Sequence, residues 1–303
     1  MKKRCIMYSQ IHIIDIHLKG KHTMKKILCF VLLCATLLTV FAACGQETKV
    51  KVIDLALSEE EYAFCVAQDN ADLLAKANDF LKKIKENGKF DEICNNYFGD
   101  GTPLQFESAA LDTSKEQLVV ATSTGFEPFE MVENGKYSGI DLEIAYYFAQ
   151  ELGIDVVIQD MQFEAVVNAV QTGTCDIGMA GLSVTPARAE VVTFTDSYYN
   201  ASQVVICLES DTIFDACKTG EDVAKILGEL DAAKKVGCQK GTTGELYIKG
   251  DNSEGGYGFP GLKAECAPYD YAALAVTAMK QGQVNYVICD NGPAKAIAAK
   301  LNG

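Results

Sequence analysis

The sequence predicts an α/β protein of two lobes, on three observations. From residue 50 onward, short β-rich apolar runs alternate with amphipathic helices, the pattern of βα units and of mainly parallel sheets. The series runs to about residue 180, passes an extended apolar run at 203–208 and then restarts, which implies a second sheet and a cleft between the two lobes. At 303 residues with 49% hydrophobic content, the chain can bury a sizeable core.

The elements follow in order. Residues 27–43 form an uncharged run of 17, preceded by Met24-Lys25-Lys26. A basic start, an apolar middle and small residues at the end read as a secretory signal. The run is slightly short for a membrane span of about 20 residues. Because this signal is complete from Met24, that residue is the expected start, with 1–23 an extension ahead of it. Asp69 or Asn70 caps a helix whose Leu73, Leu74, Ala77, Phe80, Leu81 and Ile84 recur at helical spacing until Gly88 stops it. A short helix over about 90–98 follows. Residues 99–116 are polar, turn-rich and without period, as in a linker. Strand 117–121, helix 141–152, strand 155–158, helix 163–172 and strand 176–180 complete the first series. After 203–208 come helix 221–228, strand 235–238, helix 243–248, strand 263–266, helix 271–281, strand 285–288 and helix 293–301. The glycine-rich loop at 250–261 lacks the Lys-Ser/Thr of a phosphate loop, so no nucleotide site is expected there.

Charge narrows the function. The formal net charge of −14 hides an asymmetry: seven of the 27 Lys and Arg, and all three histidines (His12, His17, His22), precede residue 44. Residues 44–303 carry 20 bases against 40 acids, no histidine, and one arginine, Arg188. So acidic a chain has no surface for tracking phosphates, which excludes nucleic-acid binding. Without histidine, Ser-His-Asp triads, Cys-His pairs and His-built metal sites fall away, and neither a metal nor a cofactor is expected. Of twelve cysteines, Cys5, Cys29, Cys34 and Cys44 belong to the leader. Cys65, Cys207, Cys238 and Cys289 sit in apolar runs as small core residues, and C-x-x-C does not occur.

Arg188 is the first candidate for chemistry. Its planar fork matches a carboxylate in a way lysine cannot, and it stands just past strand 176–180, where ligands of α/β sheets bind. Gly241-Thr242-Thr243-Gly244 opens a helix after strand 235–238, either as an anion site or as a plain N-cap. Asp290 ends strand 285–288 and either receives a ligand ammonium or caps helix 293–301. Phe126 and Phe163 lie at loop and helix-start positions where aromatic faces can hold a ligand. Glu127, Glu130, Asp141 and Glu143 read as a solvated acidic face. Together, one arginine fork, one anion turn, one strand-end carboxylate and two aromatics suit a small zwitterion such as an amino acid.

The order of motifs resembles the bacterial extracellular solute-binding proteins of family 3, the polar-amino-acid binders of ABC importers. The first lobe matches at Thr124-Gly125-Phe126-Glu127-Pro128-Phe129-Glu130, at Gly139-Ile140-Asp141-Leu142-Glu143, and from Cys175 through Gly181-Leu182-Ser183-Val184-Thr185-Pro186 to Arg188. Phe194-Thr195-Asp196-Ser197-Tyr198-Tyr199 continues it. The second lobe matches from Val236 to Gly244 and from Val284 to Asp290. The resemblance implies a two-lobe periplasmic-binding-protein (type II) fold with a hinge. It assigns the ligand α-carboxylate to Arg188 with Thr242 and Thr243, the α-ammonium to Asp290, and first-lobe contacts to Gly181 and Ser183. Phe126 and Phe163 would sandwich the side chain. Ser123 stands where relatives for basic ligands place an acid, which argues against a lysine or arginine preference.

The block that normally closes the family comes first here: 50–57, then 61–67, helix 70–87 and 90–99 ending Asn96-Tyr97-Phe98-Gly99. The domain therefore reads as circularly permuted, with 99–116 bridging the original ends. One complete set of elements with none duplicated favours this over a truncated gene with debris from a second copy. The expected organisation is a leader over 1–43, a first lobe over 62–204 with 62–98 as its permuted segment, and a second lobe of 205–303 plus 50–61. Extended crossings are expected near 56–61 and 203–208.

Phe41-Ala42-Ala43-Cys44-Gly45 resembles a bacterial lipoprotein box, with Phe41 in place of the usual leucine, and makes Cys44 the expected lipidation site. An uncleaved anchor is the other reading; both put 45–303 outside the cytoplasm, on the outer face of the membrane. The implied function is an ABC-importer binding protein that captures an amino acid and delivers it to a permease and its ATPase. A ligand-sensing module and a dehydratase-like enzyme are the alternatives. The missing histidine speaks against the enzyme.

Overall fold

Period-two burial and helical caps build two sheets, each wrapped by helices. The computed structural model describes residues 48–303; the leader, Met24 and Cys44 lie outside the described residues. The chain runs through β1 (Val50–Ile53), β2 (Glu60–Tyr62), β3 (Cys65–Ala67), α1 (Ala71–Glu86), α2 (Lys89–Phe98) and β4 (Gln117–Thr122). It continues with β5 (Met131–Glu133), β6 (Lys136–Ser138), α3 (Ile140–Leu152), β7 (Asp155–Asp160), α4 (Phe163–Gln171) and β8 (Ile177–Gly178). Next come α5 (Pro186–Ala189), β9 (Val192–Phe194), β10 (Tyr199–Ala201), β11 (Gln203–Leu208), α6 (Gly220–Glu229) and β12 (Lys235–Gln239). The last elements are α7 (Thr243–Lys249), β13 (Glu265–Tyr269), α8 (Ala272–Lys280), β14 (Tyr286–Asp290) and α9 (Asn291–Asn302).

The first lobe is built on the sheet β7-β4-β8-β3-β9 and the second on β1-β11-β14-β12-β13. Parallel pairing holds for β4 with β7 and β8, and for β12 with β13 and β14. The other pairs in the two sheets are antiparallel: β1 with β11, β11 with β14, and β3 with β8 and β9. The sheets are thus mixed, where mainly parallel ones were expected. The reason is the connectivity: β3 and β11 arrive from the other lobe and have no preceding crossover helix to set them parallel. β11 and β14 are apolar and buried over almost their whole length, as central strands require.

The crossings pair with each other. β2 and β10 form a two-stranded antiparallel ribbon, Tyr62 opposite Tyr199 and Glu60 opposite Ala201. The return crossing therefore lies at β10; 203–208, expected as a crossing, is instead β11 inside the second sheet between β1 and β14. Residues 99–116 are not a loose linker. Phe106 is buried against Tyr137 and Tyr146, Ala109 N donates to Val156 O, and Ser108 Oγ accepts from Ile158 N.

Local signals explain the helices. Asn70 caps α1, its side chain accepting from Leu73 N, and Ala77, Phe80, Leu81 and Ile84 face the first core. Thr219 and Asp222 form a capping box at α6. Gly139 ahead of α3 has φ +125°, and a Cβ there would fall 2.0 Å from Phe129 O, so only glycine fits. No helix among the described residues is long and apolar enough to cross a membrane.

Candidate ligand-binding site

Arg188 sits on α5, a single turn started by Pro186 and capped by Thr185, whose hydroxyl accepts from Arg188 N. Its guanidinium donates to Ser183 O at 2.6 Å and, across the cleft, to Gly241 O at 3.0 Å. It lies 5.2 Å from the centroid of the Phe163 ring. Burial lowers its pKa, opposed by Cys65, Tyr257, Glu60 and Asp290. A guanidinium has five N–H donors, so three remain for a ligand.

Asp290 approaches from the second lobe. It occupies the N-cap position of α9 yet makes no side-chain cap bond; Tyr62 Oη donates to it at 2.6 Å. The cap reading is therefore not met: the carboxyl is engaged by Tyr62 and not by the first turn of α9. Burial first, and the charge of Glu60 second, raise its pKa to about 7, against hydrogen bonds from Tyr62 and Gln203.

The turn before α7 is partly committed. Gly241 N donates to Glu245 Oε2 at 2.6 Å, and Thr242 Oγ1 donates to Gln239 O. Thr243 Oγ1 donates to Glu60 Oε2 at 2.6 Å and accepts from Gln203 Nε2 at 2.9 Å. On the first-lobe side, Ser183 Oγ also donates to Glu60 Oε2, at 2.7 Å. Gly181 has φ +54°, and a Cβ there would stand 2.8 Å from the Phe126 ring. Its N–H donates to Asp141 Oδ2 at 2.9 Å. Phe126 and Phe163 are both buried, Phe126 against Gly181 and Phe129, Phe163 beneath Arg188. The ring that was to sandwich a ligand thus backs the guanidinium.

Three acids expected on a solvated face are buried: Glu130, Asp141 and Glu143. Asp141 accepts from Tyr198 Oη as well as from Gly181 N, and Glu143 from Tyr97 Oη. Burial pushes Asp141 up to about 6 and Glu130 well above the carboxylate range, with the charge of Asp141 adding to the latter. Glu60 and Gln203, which no sequence motif marks, also join the cluster around Thr243. Glu59 and Glu61 make Glu60 look like part of a charge run. The strand alternation of β2, buried-exposed-buried, was the signal that places Glu60 and Tyr62 on the inner face.

Two helix-wrapped mixed sheets joined by paired crossings, with charged side chains converging between them, define a two-lobe binding protein. More particularly, the chain belongs to the bacterial extracellular solute-binding proteins, family 3, which it matches over residues 118–284. It is 30% identical over 125 residues to the arginine-binding extracellular protein ArtP of Bacillus subtilis, covering 41% of this chain and 49% of that one. It is 25% identical over 183 residues to a probable histidine-binding protein of Campylobacter jejuni, covering 60% and 63%. The chain thus spans about half to under two thirds of these relatives. Among solved structures, holo ArgBP from T. maritima aligns with TM-score 0.51 and 31% identity over 63% of this chain and 77% of that one. An ancestral arginine-binding protein bound to arginine aligns with TM-score 0.52 and 29% identity over 62% and 76%. The ancestral amino acid-binding protein AncCDT-1, a precursor of cyclohexadienyl dehydratase, gives 0.51 and 30% over 61% and 74%.

Proposed function

We propose that this protein captures a free amino acid between its lobes and delivers it to the permease and ATPase of an ABC importer. The observation that supports the reading is that Arg188 of the first lobe reaches Gly241 of the second while Asp290 of the second lobe is reached by Tyr62, with the Asp290 charge close enough to oppose the burial that lowers the Arg188 pKa. The fork takes the α-carboxylate and Asp290 the α-ammonium, which drives its carboxyl to the ionised form. Ser183 and Gly181 shape the first-lobe wall. The hydroxyl of Thr243 is committed to Glu60, so Arg188 is the principal carboxylate ligand. Phe163 stiffens the guanidinium rather than gripping the side chain. The β2–β10 ribbon is the hinge, and closure shields the new ion pairs from water.

The names of the relatives support a binder rather than an enzyme, and the family is extracellular. Attachment to the outer face of the membrane through a lipid on Cys44 completes the proposal. The order of elements we read as a circular permutation. Supporting it, the family match begins after 50–98, β3 lies inside the first sheet, and Val50 N and O bond Asn302 at the far end of the chain.

Calorimetric titration of Arg188→Ala tests the function. Two charge-assisted hydrogen bonds contribute roughly 1.5–3 kcal/mol each, so affinity falls by about 100-fold or more. A variant within a few-fold of the parent contradicts the assignment.

A further inference from the structure

Of the buried carboxyls, Glu60 is held from both lobes and pairs with no cation among the described residues. Glu60, on the hinge strand, is 4% exposed. Its Oε2 accepts from Ser183 Oγ of the first lobe and Thr243 Oγ1 of the second, and its Oε1 from Ser58 Oγ at 2.7 Å. All three donors are neutral hydroxyls. Thr243 is bonded in turn to Gln203, which stands opposite Asp290 in the β11–β14 pairing, so Glu60 and Asp290 border one cleft. Gln203 Oε1, buried there, is a further acceptor without a donor among the described residues.

The charges then do not balance for a neutral ligand. The cleft offers one guanidinium and two carboxylates. A zwitterion brings its carboxylate to Arg188 and its ammonium to Asp290, and closure encloses Glu60 with hydroxyls alone. Enclosing an uncompensated carboxylate is costly, whereas a ligand with a second cation cancels it. Space adjoins the residue: Glu60 forms part of the wall of a cavity of about 660 Å3 with Ser58, Val184, Ser202 and Tyr257. Glu59 and Glu61 also line that cavity, and no lysine or arginine does.

Resting on the amino-acid reading, we infer that Glu60 is a specificity-determining residue whose carboxylate pairs with a second cationic group of the ligand, so that the cleft selects basic amino acids. The serine at 123 does not oppose this, because the acid reaches the cleft from the hinge strand instead of from the loop after β4.

Titration of the full chain with matched pairs tests it: L-arginine against L-citrulline, and L-lysine against L-norleucine. The charged member of each pair is expected to bind at least tenfold tighter. Glu60→Gln brings each pair within about threefold by weakening the charged member, and an unchanged circular-dichroism spectrum reports an intact fold. Glu60→Asp keeps the preference. Equal or tighter binding of citrulline and norleucine by the parent overturns the inference, as does a Glu60→Gln variant with an unchanged ratio. In both cases amino-acid capture itself stands. Binding of no amino acid of either kind overturns both readings together.

Discussion

Asp141 couples the acid–base behaviour of the first lobe to the shape of the cleft. Its carboxylate holds Gly181 N, two residues before Ser183, while burial raises its pKa to about 6. The unfolded value lies near 3.9, so between those pH values the folded state binds the proton more tightly and stability falls as pH rises. Asp290, raised to about 7, acts in the same direction over a wider window. Asp54, Asp112, Asp222 and Asp251 are lowered by hydrogen bonds and act oppositely, but only below about pH 4. The thermal midpoint is therefore expected to peak at acidic pH, near 4, and to decline toward neutrality. Asp141→Asn flattens the decline between about pH 4 and 6. Calorimetric scans across pH check this, and a midpoint climbing steadily through that range contradicts it. Arg188 was legible because composition isolates it. Glu60, Asp141 and Glu130 were not, because one abundant acid looks like another until tertiary packing buries it.

At the scale of elements, the helices were the readable part, since caps and helical spacing are local. Thr219 with Asp222 and Asn70 with Leu73 are signals complete within four residues. The strands depend on distant partners. β8 shortens to Ile177–Gly178 because the chain turns at once into the site loop, with Met179 N bonded to Ala121 O and Gly181 at φ +54°. α5, at four residues, is too short to show a period, although Thr185 and Pro186 mark its start. The antiparallel entry of β3 and β11 follows from crossings that no local pattern records. The proposed permutation makes a prediction here. Because Val50 and Asn302 are hydrogen-bonded, a rearranged chain running 99–303 and then 50–98 through a short join keeps every strand pairing and the buried Phe106. It is expected to melt within a few degrees of the parent and to bind ligand equally. A rearranged chain that stays unfolded by circular dichroism, with several join lengths tried, contradicts the permuted reading.

At the scale of the whole molecule, side-chain contacts tie the two lobes together around the paired crossings. Arg188 to Gly241, Tyr62 to Asp290, Tyr257 Oη to Val184 O, and the Lys300–Glu127 ion pair at 2.8 Å all link the lobes around the β2–β10 ribbon. The glycine-rich loop at 250–261 supplies Tyr257 to these contacts; Asp251 shapes it by accepting from Ser253 N and Tyr257 N. A ligand that binds only the folded, closed form stabilises it by mass action, about 2.7 kcal/mol at a hundred times its dissociation constant. For a domain of this size that is a rise of roughly 5–10 °C in thermal midpoint. The most direct measurement is a thermal-shift screen against the twenty amino acids. The account predicts a rise of that order for at least one of them, abolished by Arg188→Ala. A midpoint unmoved by all twenty contradicts amino-acid capture.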